Sequence, residues 1–155
     1  MAQELRAAGR VDEAVAHYEA ILELNPNDNQ GLRYALLGCY LQTGKHEPAR
    51  QLFRRYDEAS AFMAWSRVLE RYLSGNLVEA ATELRNARKI NPHVQDYLTG
   101  KKKVPKKLPD SYSPGQASEA IVCCVEIGLA WRQHKDALAW LKQEHGSGYL
   151  QHTVH

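Results

Sequence analysis

The chain has 155 residues, 44 % hydrophobic and 25 % charged, with 10 Gly and 6 Pro. That is the make-up of one globular domain and excludes a collagen or a disordered tail. The net charge is +2; with no run of about 18 apolar residues and a polar N-terminal segment, neither a membrane-spanning helix nor a secretory signal is expected.

Three cysteines, two of them adjacent (Cys123 and Cys124), do not suggest a disulfide framework, so a reducing, cytoplasmic setting is expected. The small net charge conceals an uneven spread. Residues 1–28 hold two arginines against six acids, whereas residues 29–92 hold ten basic residues against six acids. An acidic end followed by a basic middle favours either an acidic ligand or the stacking of like chains.

The first element expected begins after Gly9. Only residues 1–8 precede that glycine, where about fourteen are expected, so either the chain is a fragment of a longer protein or the first helix of the first pair is stunted; both leave an apolar N-terminal edge poorly covered. From Gly9 to Ile90 the chain is self-similar. Ala14, Ala49 and Ala80 are spaced by 35 and then 31 residues, which brackets a period of about 34. Tyr18, Phe53 and Leu84 follow each alanine by one helical turn on the same face. The small residue lets two helices approach, and the large one fills the space between neighbours. Gly9, Gly44 and Gly75 are placed where a helix ends in a left-handed residue. Pro26 and Pro92 stop the second helices, and Pro48 sits in a first turn, where a missing N–H costs little.

The first helices of the pairs carry Arg33-x2-Leu36-Leu37-x2-Tyr40 and Trp65-x2-Val68-Leu69-x2-Tyr72. Together with the Gly, Ala, aromatic and Pro offsets, these resemble the tetratricopeptide family over residues 9–92. The resemblance implies an all-α, right-handed helical solenoid of about 3.5 hairpins. Leu37 and Leu69 stand where the family has a small residue, which implies wider helix spacing there.

Residues 93–116 show no helical period and hold three prolines and five lysines, so an ordered basic loop is expected. Helices are expected over 117–133 and 135–143, with Ala137-x3-Leu141 repeating the small-then-large spacing. The domain reading is repeats over 1–92, the loop over 93–116, a C-terminal hairpin over 117–143 packed on the array and sealing its edge, and a mobile tail over 144–155. A second resemblance rests on Asn91, Pro92, His93 and Val94, on Tyr97 and Leu98, on Ser118, Glu119 and Ala120, and on Trp131 with Ala137, Leu138 and Leu141. These are similar to the C-terminal region of the suppressor-of-tumorigenicity-seven proteins and their bacterial repeat-containing relatives, over most of residues 20–141. That likeness implies a scaffold with no enzymatic activity, and proline where this chain has Gln95.

No catalytic motif is visible: no phosphate-cradling glycine loop, no nucleophile elbow, no HExxH. Cys123 and Cys124 diverge by about 100° on a helix, so no metal site and no cofactor are expected. The expected function is a non-catalytic protein-interaction scaffold that takes a protein or acidic peptide on its concave face. The expected binding residues are Arg33, Tyr34, Tyr40, Arg67, Arg71 and Tyr72, with Glu119 and Cys123 further along. Arg67 and Arg71 project from one helix face and are suited to forking a carboxylate. Their charge reversal is expected to abolish capture without unfolding. The alternative is a self-associating structural domain, a homo-oligomer formed through the N-terminal edge. Lys101, Lys102, Lys103, Lys106 and Lys107 form the densest positive run and attract polyanions. With no aromatic in the run to stack a base, nucleic acid is not the expected partner.

Overall fold

Three identical turns set the architecture. Gly9, Gly44 and Gly75 each adopt a positive φ, of 81°, 71° and 83°. At each turn the glycine N–H bonds to the carbonyl three residues back. The next residue bonds to the carbonyl five back: Arg10 to Leu5 at 2.8 Å, Lys45 to Tyr40 at 2.8 Å and Asn76 to Arg71 at 3.0 Å. This is the Schellman closure of a helix, and a left-handed residue is its requirement.

The computed structural model describes residues 2–7, 9–28 and 31–154, with side chains through 144. Among the described residues all regular structure is helical. The turns join α1 (Ala2–Ala7) to α2 (Val11–Leu24), α3 (Leu32–Gln42) to α4 (His46–Arg55), and α5 (Ala61–Leu73) to α6 (Leu77–Ile90). A short α7 (Val94–Leu98) and then α8 (Ala117–Gln133) and α9 (Lys135–Val154) follow. The molecule is an all-α helical repeat solenoid.

The repeat positions behave as their chemistry demands. Ala14, Ala49 and Ala80 are fully buried, and Tyr18, Phe53 and Leu84 pack beside them. The first helices form an inner layer. α3 is buried continuously from Ala35 to Leu41 and α5 from Ala61 to Ser66, so both are enclosed on all sides. The second helices α2, α4 and α6 form the outer layer, each with one buried stripe. Trp65 and Trp131, both fully buried, are the largest side chains in the core.

Three differences from the sequence reading stand out. Residues 94–98 of the expected loop are helical, because Val94 and Leu98 are drawn into the core; five residues are too few for a period to be legible. α9 runs on to Val154 rather than ending at 143, and the mobile tail expected over 144–155 lies, beyond residue 144, outside the residues whose side chains are described. The third difference concerns α8. It does not add a fourth layer to the end of the array but lies across α3, against which it packs most extensively, and also meets α5 and α7.

Candidate protein-interaction site

The inner face is formed by α1, α3 and α5, and α8 is seated on it. The fit depends on small residues. α8 turns Ala120, Cys123, Cys124 and Gly128 inward beside Ile127 and Trp131, and α3 offers Gly38. A Cβ at Gly38 would collide with the Glu126 carbonyl oxygen and lie 2.6 Å from Arg6 Nη2. That arginine donates to the same carbonyl at 2.7 Å and lies 3.9 Å from the Glu126 carboxylate. α1 is thereby tied to α8 across 120 residues of chain.

A buried polar latch holds the other end of α8. Glu119 Oε1 accepts from Asn91 Nδ2 at 2.9 Å and from Gly115 N at 2.9 Å. Glu119 Oε2 accepts from Ala61 N, at the start of α5, at 3.4 Å. Asn91 Nδ2 also donates to Gln116 O, and its Oδ1 accepts from His93 N, both at 2.9 Å. Asn91 is fully buried and Glu119 nearly so, and buried groups of this kind need such partners. Two further ties hold the hairpin. His134 Nε2 lies 2.8 Å from Leu41 O. Gln95 accepts from Arg88 Nε at 2.9 Å and donates to Leu141 O at 3.2 Å, which joins α6 to α9. A proline at 95 would have neither group.

The six expected binding residues do not share one groove. Arg33 is enclosed: Nη1 donates to Asp28 and Nε to Glu58, both at 2.9 Å. Its guanidinium lies 4.4 Å from the Tyr34 ring centroid and 5.2 Å from that of Tyr56. Burial alone lowers its pKa, but the bonds to Asp28 and Glu58 outweigh that and raise it. Tyr34 donates to Glu58 and stacks on Phe62 with ring centroids 4.0 Å apart. Asp28 in turn caps α3, accepting from Leu32 N at 2.7 Å and Arg33 N at 2.8 Å. Tyr40 donates to Glu19 of α2. Tyr72 packs on Trp140, ring centroids 5.3 Å apart.

Arg67 and Arg71 do share one side of α5, but that side faces α4 and α6. Arg67 lies over Phe53 and 3.7 Å from Asp57. Arg71 pairs with Glu70, and with Glu79 at 3.2 Å. Glu70 is a fully buried carboxylate. Burial pushes its pKa up, yet hydrogen bonds from Arg50 and Ser74 and the charges of Arg71 and Arg50 together hold it below the ordinary value. Glu119 and Cys123 lie on the buried face of α8 itself and offer no open surface. The Cys124 thiol is pushed up to about 12 by burial.

The open concavities lie between elements. Outer helices α2 and α4 stand apart over a cleft of about 490 Å³. Leu22 of α2 and Leu36 and Tyr40 of α3 line its depth; Glu19 and Glu23 form one wall, Gln51 and Arg55 the other. A cleft of about 300 Å³ beside it collects Arg50, Arg54, Arg71, Ser74 and Asn76. Sequence reasoning missed the second helices as walls. Their signal was present: Glu19, Glu23, Gln51 and Arg55 are polar residues off the buried stripe of amphipathic helices. Among the described residues, no group of three or more His, Cys, Asp and Glu is arranged to hold a metal, and no helix is long and apolar enough to cross a membrane.

Residues 5–68 match the family model for the tetratricopeptide repeat. The match takes in the first two hairpins and the start of α5, and α5 with α6 continues the same turn and packing. No curated protein and no solved structure matches the chain. The likeness to the suppressor-of-tumorigenicity-seven proteins therefore has no support from relatives. Tetratricopeptide repeats generally mediate protein–protein interactions and are typically non-catalytic.

Proposed function

We propose that this protein is a non-catalytic interaction module whose inner face is occupied by its own α8, and that a protein partner docks in the outer cleft between α2 and α4. The observation that carries the reading is the seating of α8. A repeat array of this kind offers its first helices to ligands, and here those helices are already covered and latched by Glu119, Asn91 and Arg6. The cleft over Leu36 and Tyr40, of about 490 Å³, remains open. It has an apolar floor, one acidic wall, and Arg55 with an amide opposite, which suits a chain segment that pairs an apolar anchor with a basic residue. An acidic peptide suits this cleft less well, because Glu19 and Glu23 line it; and Arg33, Arg67 and Arg71, outside it, are already engaged with Asp28, Glu58, Asp57, Glu70 and Glu79.

The test is affinity capture with the wild type beside two variants. Glu23→Lys/Arg55→Glu exchanges the charges of the cleft walls at exposed positions. Lys89→Gln/Lys142→Gln, at exposed positions outside the cleft, serves as a remote control. Loss of a partner only with the cleft variant supports the reading. Equal recovery with all three places the partner elsewhere.

Self-association is the second reading, favoured by exposed apolar residues at opposite ends of the array. Leu24 on α2 is 81 % exposed and Val78 on α6 is 79 % exposed. Light scattering across concentration checks it, and a monomer at every concentration removes it.

A further inference from the structure

We infer that the lysine loop between α7 and α8 is a docking surface for an anionic lipid membrane. The first observation is its presentation. All five lysines of 101–107 are exposed, and among the described residues only Lys102 reaches a carboxylate, Asp96 at 3.9 Å. Each of the others keeps its charge available.

The loop is also held in place. Lys102 N donates to Asp96 O at 3.0 Å, and Gly115 N bonds to Glu119 at the far end. Tyr112 packs edge-on against Phe62 with centroids 5.7 Å apart. Pro105 and Pro109 restrict the backbone between these anchors. A tethered loop spends less ordering entropy on contact than a free tail.

Val104 and Leu108 decide which polyanion fits. They alternate with the lysines and are 37 % and 43 % exposed. Apolar side chains among solvated lysines gain nothing from a phosphodiester backbone, but they find acyl chains at a bilayer interface. Clustered lysines at an anionic leaflet add electrostatic attraction. A nucleic acid would want a stacking platform, yet residues 101–107 hold no aromatic, and the Tyr112 ring packs against Phe62. None of the clefts described above includes a loop lysine, and a flat, charged surface requires no shaped pocket.

The experiment is vesicle sedimentation with the full chain. Wild type is expected to pellet with vesicles containing phosphatidylserine, to stay in solution with pure phosphatidylcholine, and to be released by salt as the Debye length shortens. Lys106→Gln/Lys107→Gln is expected to weaken partitioning roughly 20- to 30-fold. Val104→Ser/Leu108→Ser keeps the charge, and is expected to weaken vesicle binding while leaving retention on heparin or a single-stranded oligonucleotide unchanged. Thermal melts confirm that both variants fold. No pelleting with anionic vesicles overturns the inference. So does a Val104/Leu108 variant that pellets like wild type, which would assign the loop to a soluble polyanion.

Discussion

Gly38 of α3 stands directly beneath the backbone carbonyl of Glu126 in α8, with the Arg6 guanidinium alongside. Two helices and a third element share a space that admits no Cβ. Because one of the colliding atoms is backbone, the strain cannot be relieved by a side-chain rotation. Gly38→Ala is therefore expected to cost about 1–3 kcal/mol, even though alanine is the better helix former by about 1 kcal/mol. Urea denaturation of the two proteins checks this, and equal midpoints would mean that α8 is not seated as described.

The latch predicts coupling. Glu119→Ala leaves the Asn91 amide without one of its two acceptors and the Gly115 N–H without its acceptor, at about 2–4 kcal/mol. Asn91→Ala leaves a buried carboxylate short of one donor. Because the two changes share one bond, their costs should fall short of additive by about 1–2 kcal/mol. A double-mutant cycle measures that difference, and strict additivity would show that the two side chains act apart.

Arg67 and Arg71 should respond unequally to charge reversal. Arg67→Glu meets an Asp57 that is almost wholly exposed, and exposed pairs are worth about 1 kcal/mol or less. Arg71→Glu places a carboxylate beside the fully buried Glu70 and is expected to cost about 3 kcal/mol. Loss of capture in an Arg67/Arg71 double reversal would thus report lost folding before lost recognition. Thermal denaturation of the two single variants separates them.

Acid should loosen the array through Glu58 and Glu70. Burial opposes both charges, but hydrogen bonds from Tyr34 and Arg33 on Glu58, and from Arg50 and Ser74 on Glu70, hold their pKa values below the ordinary 4.5. A carboxyl whose folded pKa is depressed contributes stability above its unfolded value, and loses it as pH falls through the folded one. Stability is expected to be flat above pH 4.5 on account of these two groups and to fall below it. Glu70→Gln should be less stable than wild type at neutral pH, and the gap should close on acidification. A parallel acid titration of the two proteins gives the answer, and a constant gap would sink the assignment.

Much of this architecture is legible in the sequence, because its signals are local. The turn glycines, the buried alanines one turn before Tyr18, Phe53 and Leu84, and Pro48 in a first turn each act within a few residues. The span of α8, 117–133, is likewise readable from its apolar face. What the spacing did not reveal is where α8 goes. Its destination is set by matched small residues far apart in the chain, Gly38 against Glu126, and by a carboxylate on an apolar face, Glu119, whose partner Asn91 lies 28 residues away. A glutamate one helical turn before Cys123, on the apolar side of the helix, is the one local hint of such a partner. The expected binding residues have in common only their place on first helices, whereas their roles follow from rotation about the helix axis. That rotation turned Arg67 and Arg71 toward α4 and α6 and gave Arg33 to Asp28 and Glu58.

The seat for α8 is complete well before its occupant is synthesised. α3 and α5 are finished by residue 73, whereas α8 ends at residue 133. Translation at about 5–20 residues per second leaves that apolar surface uncovered for roughly 3–12 s. Nascent chains on one message are therefore exposed to one another, and to any chaperone that reads bare leucine and tryptophan, throughout that interval. A ribosome pause in the lysine-rich stretch just upstream of α8 would lengthen it. Codon choice across residues 101–107 thus becomes a determinant of yield that no property of the finished molecule would disclose.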